Sequence, residues 1–189
     1  MDDNIVVQKL DWLVIYTKSR QEKKVYALLQ KQSVESFLPL RRQRKKWSDR
    51  WKWIEIPLFS SYIFVKPDKQ QKDRILQIDG IVRYLAFNGK LGLVRQNEID
   101  FLRRVVDSDE KVEVVPDLFD KESEVVISKG YFKGFKGRFI HPDRAGKVAI
   151  RIEGIGYSVL ISVSRDEVEP VRQVLLSDRE HTRDLRLSI

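Results

Sequence analysis

Two apolar alternations joined by a glycine-flanked turn constrain this chain more than any other feature. In Lys147–Glu153, residues Val148, Ile150 and Ile152 fall on one side of an extended chain and Ala149, Arg151 and Glu153 on the other. Val159, Ile161 and Val163 repeat the period within Tyr157–Val163, and Gly154-Ile155-Gly156 joins the two runs. β-Branched residues at period two with glycines between them specify an antiparallel hairpin with one buried face. They oppose a helix, in which each glycine costs about 1 kcal/mol relative to alanine. Since an isolated hairpin is marginal in water, it needs neighbours. Val125–Ser128, Arg138–Ile140 and a short strand near Val168 supply them, and five short strands in so little sequence predict a small β-barrel.

Upstream the pattern is mixed. Trp12-Leu13-Val14-Ile15-Tyr16 is a short apolar run of the kind a buried strand shows. Ser19-Arg20-Gln21-Glu22 follows with capping-box spacing, and Val25, Leu28 and Leu29 recur at helical intervals. Further strands are expected at Ser36–Leu40, Lys52–Pro57, Phe59–Val65 and Ile81–Phe87, the last closed by the turn pair Asn88-Gly89. Asn97 reads as the N-cap of a helix carrying Ile99, Leu102 and Val106. Short links between strands predict an antiparallel sheet with packed helices, so the whole is an α+β fold. The acidic run from Asp107 to Glu124, broken by Pro116, reads as a linker. The expected division is a first domain over 9–112, a linker over 113–122, the barrel over 123–171 and a tail over 172–189.

Charge separates the same parts. Residues 1–115 hold 23 Lys/Arg against 16 Asp/Glu, whereas the remainder is nearly balanced, and the whole chain carries +8. The segment Arg41–Trp53, RRQRKKWSDRWKW, has seven basic residues against Asp49 alone, with Trp47, Trp51 and Trp53 interleaved. Basic side chains neutralise phosphates while exposed rings stack on unpaired bases, so the mixture suits a nucleic acid. The competing readings are a solvated loop for the charges and burial for Trp51 or Trp53. Read as a ligand surface, the segment offers Arg41, Arg42, Arg44, Lys45, Lys46 and Trp47. Lys18, Arg20, Lys23 and Lys24 adjoin it at a helix entrance, where acidic residues are the usual preference.

Catalytic constellations are missing from the sequence. There is no cysteine, and only His141 and His181 offer imidazoles. Gly130, Gly134 and Gly137 lack the Gly-Lys-Ser/Thr of a phosphate loop and the spacing of a dinucleotide fingerprint. No enzyme, metal or cofactor is expected. No apolar run approaches the roughly 20 residues that span a bilayer, so neither a membrane nor a secreted location is expected, and the cytoplasm is.

The ordered set Trp12, Tyr16, Thr17, Glu22 and Val25, then Pro57-Leu58-Phe59 with Tyr62-Ile63-Phe64-Val65, then Gly80-Ile81-Val82 through Phe87 and Gly89, resembles the NGN domain of the NusG transcription factors. Gly130-Tyr131-Phe132-Lys133-Gly134-Phe135-Lys136-Gly137 and the strands after it resemble their KOW domain, an SH3-like barrel. The resemblance implies a monomeric factor that binds RNA polymerase through Phe59, Tyr62 and Phe64 and touches non-template DNA of the transcription bubble. It also implies that the KOW domain meets a further partner, such as NusE on the ribosome or Rho; Phe132 and Phe135 in the glycine-rich loop are the residues expected to face it, with burial in the barrel core the competing reading, above all for Phe132. General members commonly carry Pro-Gly after Leu-Phe, where this chain has Ser60-Ser61. With the basic hairpin, that departure is closer to the RfaH-like and UpxY-type antiterminators of polysaccharide operons. The barrel is expected to be constitutively β and independent of the first domain.

Overall fold

The computed structural model describes residues 12–117, 122–140 and 146–171. His141, His181 and the tail 172–189 lie outside them, as do residues 118–121 of the segment read as a linker. In chain order the elements are β1 (Trp12–Thr17), α1 (Glu22–Lys31), β2 (Glu35–Phe37), β3 (Leu40–Lys46), β4 (Trp51–Pro57), β5 (Tyr62–Lys66) and α2 (Gln71–Ile75). There follow β6 (Ile81–Tyr84), β7 (Ala86–Phe87), β8 (Lys90–Leu91), β9 (Leu93–Val94) and α3 (Gln96–Asp107). The last strands are β10 (Val112–Pro116), β11 (Glu124–Ile127), β12 (Lys136–Ile140), β13 (Gly146–Ile152), β14 (Tyr157–Val163) and β15 (Val168–Pro170). The fold is α+β with antiparallel sheets.

The first sheet has the order β2-β5-β1-β6, with β9 also paired to β1. Alternation along β1 and β5 sends their side chains to two different cores. Leu13, Ile15, Ile63 and Val65 pack with Val25 and Leu29 of α1 and with Ile75, Ile78 and Ile81. Trp12, Val14 and Phe64 face the opposite way, onto Ile99, Phe101, Leu102 and Val105 of α3. Helix α1 starts differently from the capping box read at Ser19. Its N-cap is Gln21, without a side-chain cap bond. The buried Glu22 carboxylate instead accepts the Ser61 N–H at 2.8 Å, which ties the helix to the turn before β5. Helix α3 likewise begins at Gln96, one residue before the Asn97 expected as its cap.

The C-terminal sheet has six strands among the described residues, in the order β10-β14-β13-β12-β11-β15. The extra strand relative to the expected five is β10, which falls at the start of the stretch read as a linker. Val112 and Val114 alternate onto the core, and β10 pairs along β14 from Val112↔Ile161 to Pro116↔Tyr157. The hairpin β13–β14 is as the alternation predicts, with Ile152↔Tyr157 at its tip and Gly156 at φ 68°, a left-handed turn that glycine takes without strain.

The two parts are not independent. One apolar core contains Trp12, Val14, Phe59, Phe64, Ile99 and Phe101 from the first sheet and α3, together with Val125, Phe132, Ile150, Ile152, Val159 and Ile161 from the C-terminal sheet. The face of the first sheet turned away from α1 therefore ends against a second sheet.

Candidate functional site

The arms of the basic hairpin are β3 and β4 themselves, paired from Leu40↔Pro57 to Lys46↔Trp51. The basic residues thus lie in strands, where the sequence reading placed the arms at Ser36–Leu40 and Lys52–Pro57. The tip is closed by the Trp47 N–H donating to the Arg50 carbonyl at 2.8 Å. At the root, Arg41 Nη2 donates to the carbonyls of Ser108 and Glu110, at 3.2 and 2.7 Å. Arg41 thereby moors the hairpin to the end of α3, and its guanidinium is already used. The ribbon makes its own two-stranded sheet, and its tryptophans stand in solvent, Trp47 at 53%, Trp51 at 54% and Trp53 at 70% exposure. Neither Trp51 nor Trp53 is a core residue.

The remaining basic residues differ in their freedom. Lys18 and Lys24 both reach Asp79, at 3.5 and 2.9 Å, and hold its carboxyl below the usual range. Lys23 and Arg42 share Glu55, at 3.7 and 3.8 Å. Arg20 is exposed, with φ 61°. Arg44, Lys45 and Lys46 have no carboxylate partner among the described residues. Arg44 lies over the Trp51 ring at 5.0 Å and Lys52 over Trp47 at 5.5 Å.

A second aromatic group lies at the start of β5. Tyr62 and Phe64 project to the side opposite Ile63 and Val65, as strand alternation requires. Phe59 precedes the strand, and Ser61 at φ 66° turns the chain so that Phe59 joins them. The Phe59 and Phe64 rings meet edge-on with centroids 6.1 Å apart. Tyr157 at the tip of the β13–β14 hairpin covers this group, 6.3 Å from Phe59 and 6.4 Å from Tyr62. Burial pushes the Tyr62 hydroxyl up from its ordinary pKa, with neighbouring Tyr157 and Tyr16 adding to the rise.

The residues expected to meet a C-terminal partner are turned inward as well. Phe132 is buried and its ring lies 5.8 Å from Phe101 of α3, while the half-buried Phe135 lies 5.1 Å from the same ring. Arg104 covers Phe135 at 5.0 Å and donates to the Tyr131 carbonyl at 3.1 Å. Polar contacts seal the junction. Glu98 accepts the Arg95 N–H and, across the boundary, the Glu153 N–H, both at 2.7 Å. Arg95 pairs with the Glu153 carboxylate at 3.1 Å. Gly92 and Gly154 meet backbone to backbone, since a Cβ on Gly92 would strike the Gly154 carbonyl oxygen and one on Gly154 the Leu93 carbonyl.

The structure thus brings Phe59, Tyr62 and Phe64 together, and it brings Phe132 and Phe135 to α3. The sequence reading did not find Tyr157, Phe101, Glu98 or the Gly92–Gly154 contact. Gly154 was visible, but as a turn residue; nothing local marks it as the place where two backbones touch. Among the described residues no cluster of metal-ligating side chains occurs, and no helix is long and apolar enough to cross a membrane.

Residues 10–103 match the family model described as transcription termination factor nusG. A Thermotoga maritima NusG structure solved for its domain interaction aligns over 86% of this chain and 97% of its own, with 22% identity and a TM-score of 0.49. A chain of the MjSpt4:Spt5 complex in conformation A aligns over 86% of this chain and 99% of its own, with 15% identity and a TM-score of 0.28.

Proposed function

We propose that the chain is a transcription elongation factor that binds RNA polymerase through Phe59, Tyr62 and Phe64, because residues 10–103 match the model of the NusG family, whose members are non-enzymatic transcription factors. The family match carries this reading. The grouping of these three rings on one face supports it, because clustered aromatic side chains are the residues that dominate binding energy at protein interfaces. In the closed arrangement Tyr157 and the β13–β14 hairpin occupy that face, so polymerase binding requires the C-terminal sheet to leave. Its departure also frees Phe132 and Phe135 for a partner of the KOW-like part, such as NusE or Rho. The hairpin β3–β4 is open in either arrangement and reaches the non-template DNA of the bubble. Ser60-Ser61 in place of Pro-Gly, and the basic ribbon, favour an operon-specific antiterminator that opposes pausing or termination at polysaccharide-type operons, acting as a monomer in the cytoplasm.

Polymerase capture on the immobilised full-length chain tests the binding face. Gly154→Ala, which opens the junction, is expected to increase capture. Adding Tyr62→Ala, which leaves the buried Phe64 ring in place, is expected to lower affinity by a few kcal/mol, the scale of truncated aromatic hot spots. Equal capture by the two open variants rejects the face. A genome-wide occupancy map then separates one class of operon from all transcription units.

A further inference from the structure

Cross-strand neighbours in an antiparallel pair share a face, so the register of β3 and β4 sorts the ribbon into two. Arg42, Arg44 and Lys46 stand opposite Glu55, Trp53 and Trp51 on one face. Arg41, Gln43 and Lys45 stand opposite Ile56, Ile54 and Lys52 on the other. The first face therefore interleaves the two tryptophans with three cations. We infer that this face is a stacking strip for unpaired nucleotides, in which Trp53 and Trp51 take successive bases and Arg44 and Lys46 take the phosphates beside them. The inference rests on the nucleic-acid role proposed above for the hairpin and names the residues and the ligand form.

Three observations carry it. Indole rings exposed to 54% and 70% on a two-stranded ribbon are uncovered apolar surface next to uncompensated positive charge, a pairing that matches bases joined by phosphates. Positions i and i+2 on a strand lie about 6.6 Å apart. That exceeds the roughly 3.4 Å between stacked bases in a duplex strand, so successive bases reach Trp51 and Trp53 only when they are unstacked from each other. A duplex cannot offer them; an extended single strand can. Finally, the guanidinium of exposed Arg44 rests on Trp51, which sets a cation without a carboxylate partner among the described residues directly beside a ring.

The strip's contacts are to base faces and phosphates, which DNA and RNA share. Its one carboxylate, Glu55, is engaged by Lys23 and Arg42, so no free carboxylate of this face selects a ribose 2′-hydroxyl. The ligand is therefore a single strand of DNA or RNA alike, read by base faces and phosphates.

Fluorescence anisotropy of the full-length chain with a labelled 15-mer of deoxythymidine tests this, beside the uridine 15-mer and a mixed-sequence 15-base-pair duplex. Trp51→Ala with Trp53→Ala leaves the net charge unchanged and is expected to weaken single-strand binding about tenfold or more, the scale of lost base stacking, with the salt dependence of affinity preserved. Trp51→Phe with Trp53→Phe restores most of the affinity. Arg44→Glu with Lys46→Glu also weakens binding but makes the salt dependence shallower, by about 0.7 in the logarithmic slope per lost phosphate contact. DNA and RNA strands are expected to bind within about threefold of each other, and the duplex at least tenfold more weakly. Unchanged binding by the alanine pair, duplex binding as tight as single-strand binding, or a tenfold preference for one sugar overturns the strip. If the charge variant alone loses affinity, the hairpin still binds nucleic acid, but by charge only. If the wild-type chain binds no oligonucleotide, the nucleic-acid role of the hairpin falls too.

Discussion

Trp51 and Trp53 on β4 and Tyr62 and Phe64 on β5 are paired aromatic residues at i, i+2 on successive strands, and their fates are opposite. Trp53 is 70% exposed while Phe64 is 0% exposed. Among the described residues strand β4 pairs only with β3, in a separate ribbon, and what stands opposite its rings is Arg44 and Lys46. Strand β5 lies between β1 and β2, and its aromatic face meets Tyr157 from a different sheet. The comparison teaches that an aromatic pair in a strand does not announce a core or a surface. The charge across the strand and the layer above it decide, since rings are buried only where another apolar face arrives to exclude water.

Matched truncations give the largest test of that contrast. Phe101→Ala removes the fully buried ring that meets both Phe132 and Phe135 and is expected to destabilise the chain by about 3–5 kcal/mol. Trp53→Ala is expected to stay within about 0.5 kcal/mol of wild type, as exposed substitutions do. Urea unfolding of the two variants checks this, and similar losses in both would break the distinction.

The junction comes next. Gly154 does not need a positive φ, so Gly154→Ala leaves its own hairpin unstrained and acts only by pushing a methyl group into the Leu93 carbonyl and Val94. The expected loss is about 1–3 kcal/mol, the range for overpacking. Amide exchange along β5 should accelerate, and the raised Tyr62 pKa should fall toward its ordinary value as Tyr157 withdraws, while the hairpin β3–β4 is unaffected.

A smaller effect with the opposite sign is expected at Ser61. Its φ of 66° is a conformation that glycine takes freely and other residues adopt at a cost of about 1–2 kcal/mol. Part of the relief is offset by glycine's greater freedom when unfolded, so Ser61→Gly should raise stability by less than about 1 kcal/mol. A lower melting temperature would mean that the Ser61 side chain has a role beyond shaping the turn.

The smallest effect is a pH dependence. Burial pushes the Glu98 carboxyl up, and the carboxylate of Glu153 adds to this, against the Arg95 and Glu153 N–H groups and the Arg95 charge that pull it down. A raised folded pKa means that the folded chain holds this proton more tightly than the unfolded chain. The stability it contributes is complete below the unfolded value and is lost as pH rises through the folded one. Glu98→Gln should therefore flatten part of the decline in unfolding free energy as pH rises above the ordinary carboxylate range. An identical pH profile in both proteins would show that Glu98 titrates as it does in the unfolded chain.

Much of this architecture is determined by the sequence alone. The alternation Val148-Ile150-Ile152 and Val159-Ile161-Val163 with its glycine turn dictates β13 and β14, because side-chain period and backbone freedom are local properties. The same logic places Ile63 and Val65 opposite Tyr62 and Phe64. Local rules also locate the basic ribbon, though they put its charges in a loop, because seven cations give no apolar period to mark a strand. Only the tertiary structure decides that Val112–Pro116 adds a sixth strand, that Arg41 is spent on the end of α3, and that Tyr157 covers the β5 aromatics. It also decides that Gly154 is a contact between backbones, and that Phe132 and Phe135 lie on Phe101. Each of these joins residues far apart in the chain, and a side chain's own sequence neighbourhood carries no record of which distant face will exclude its water.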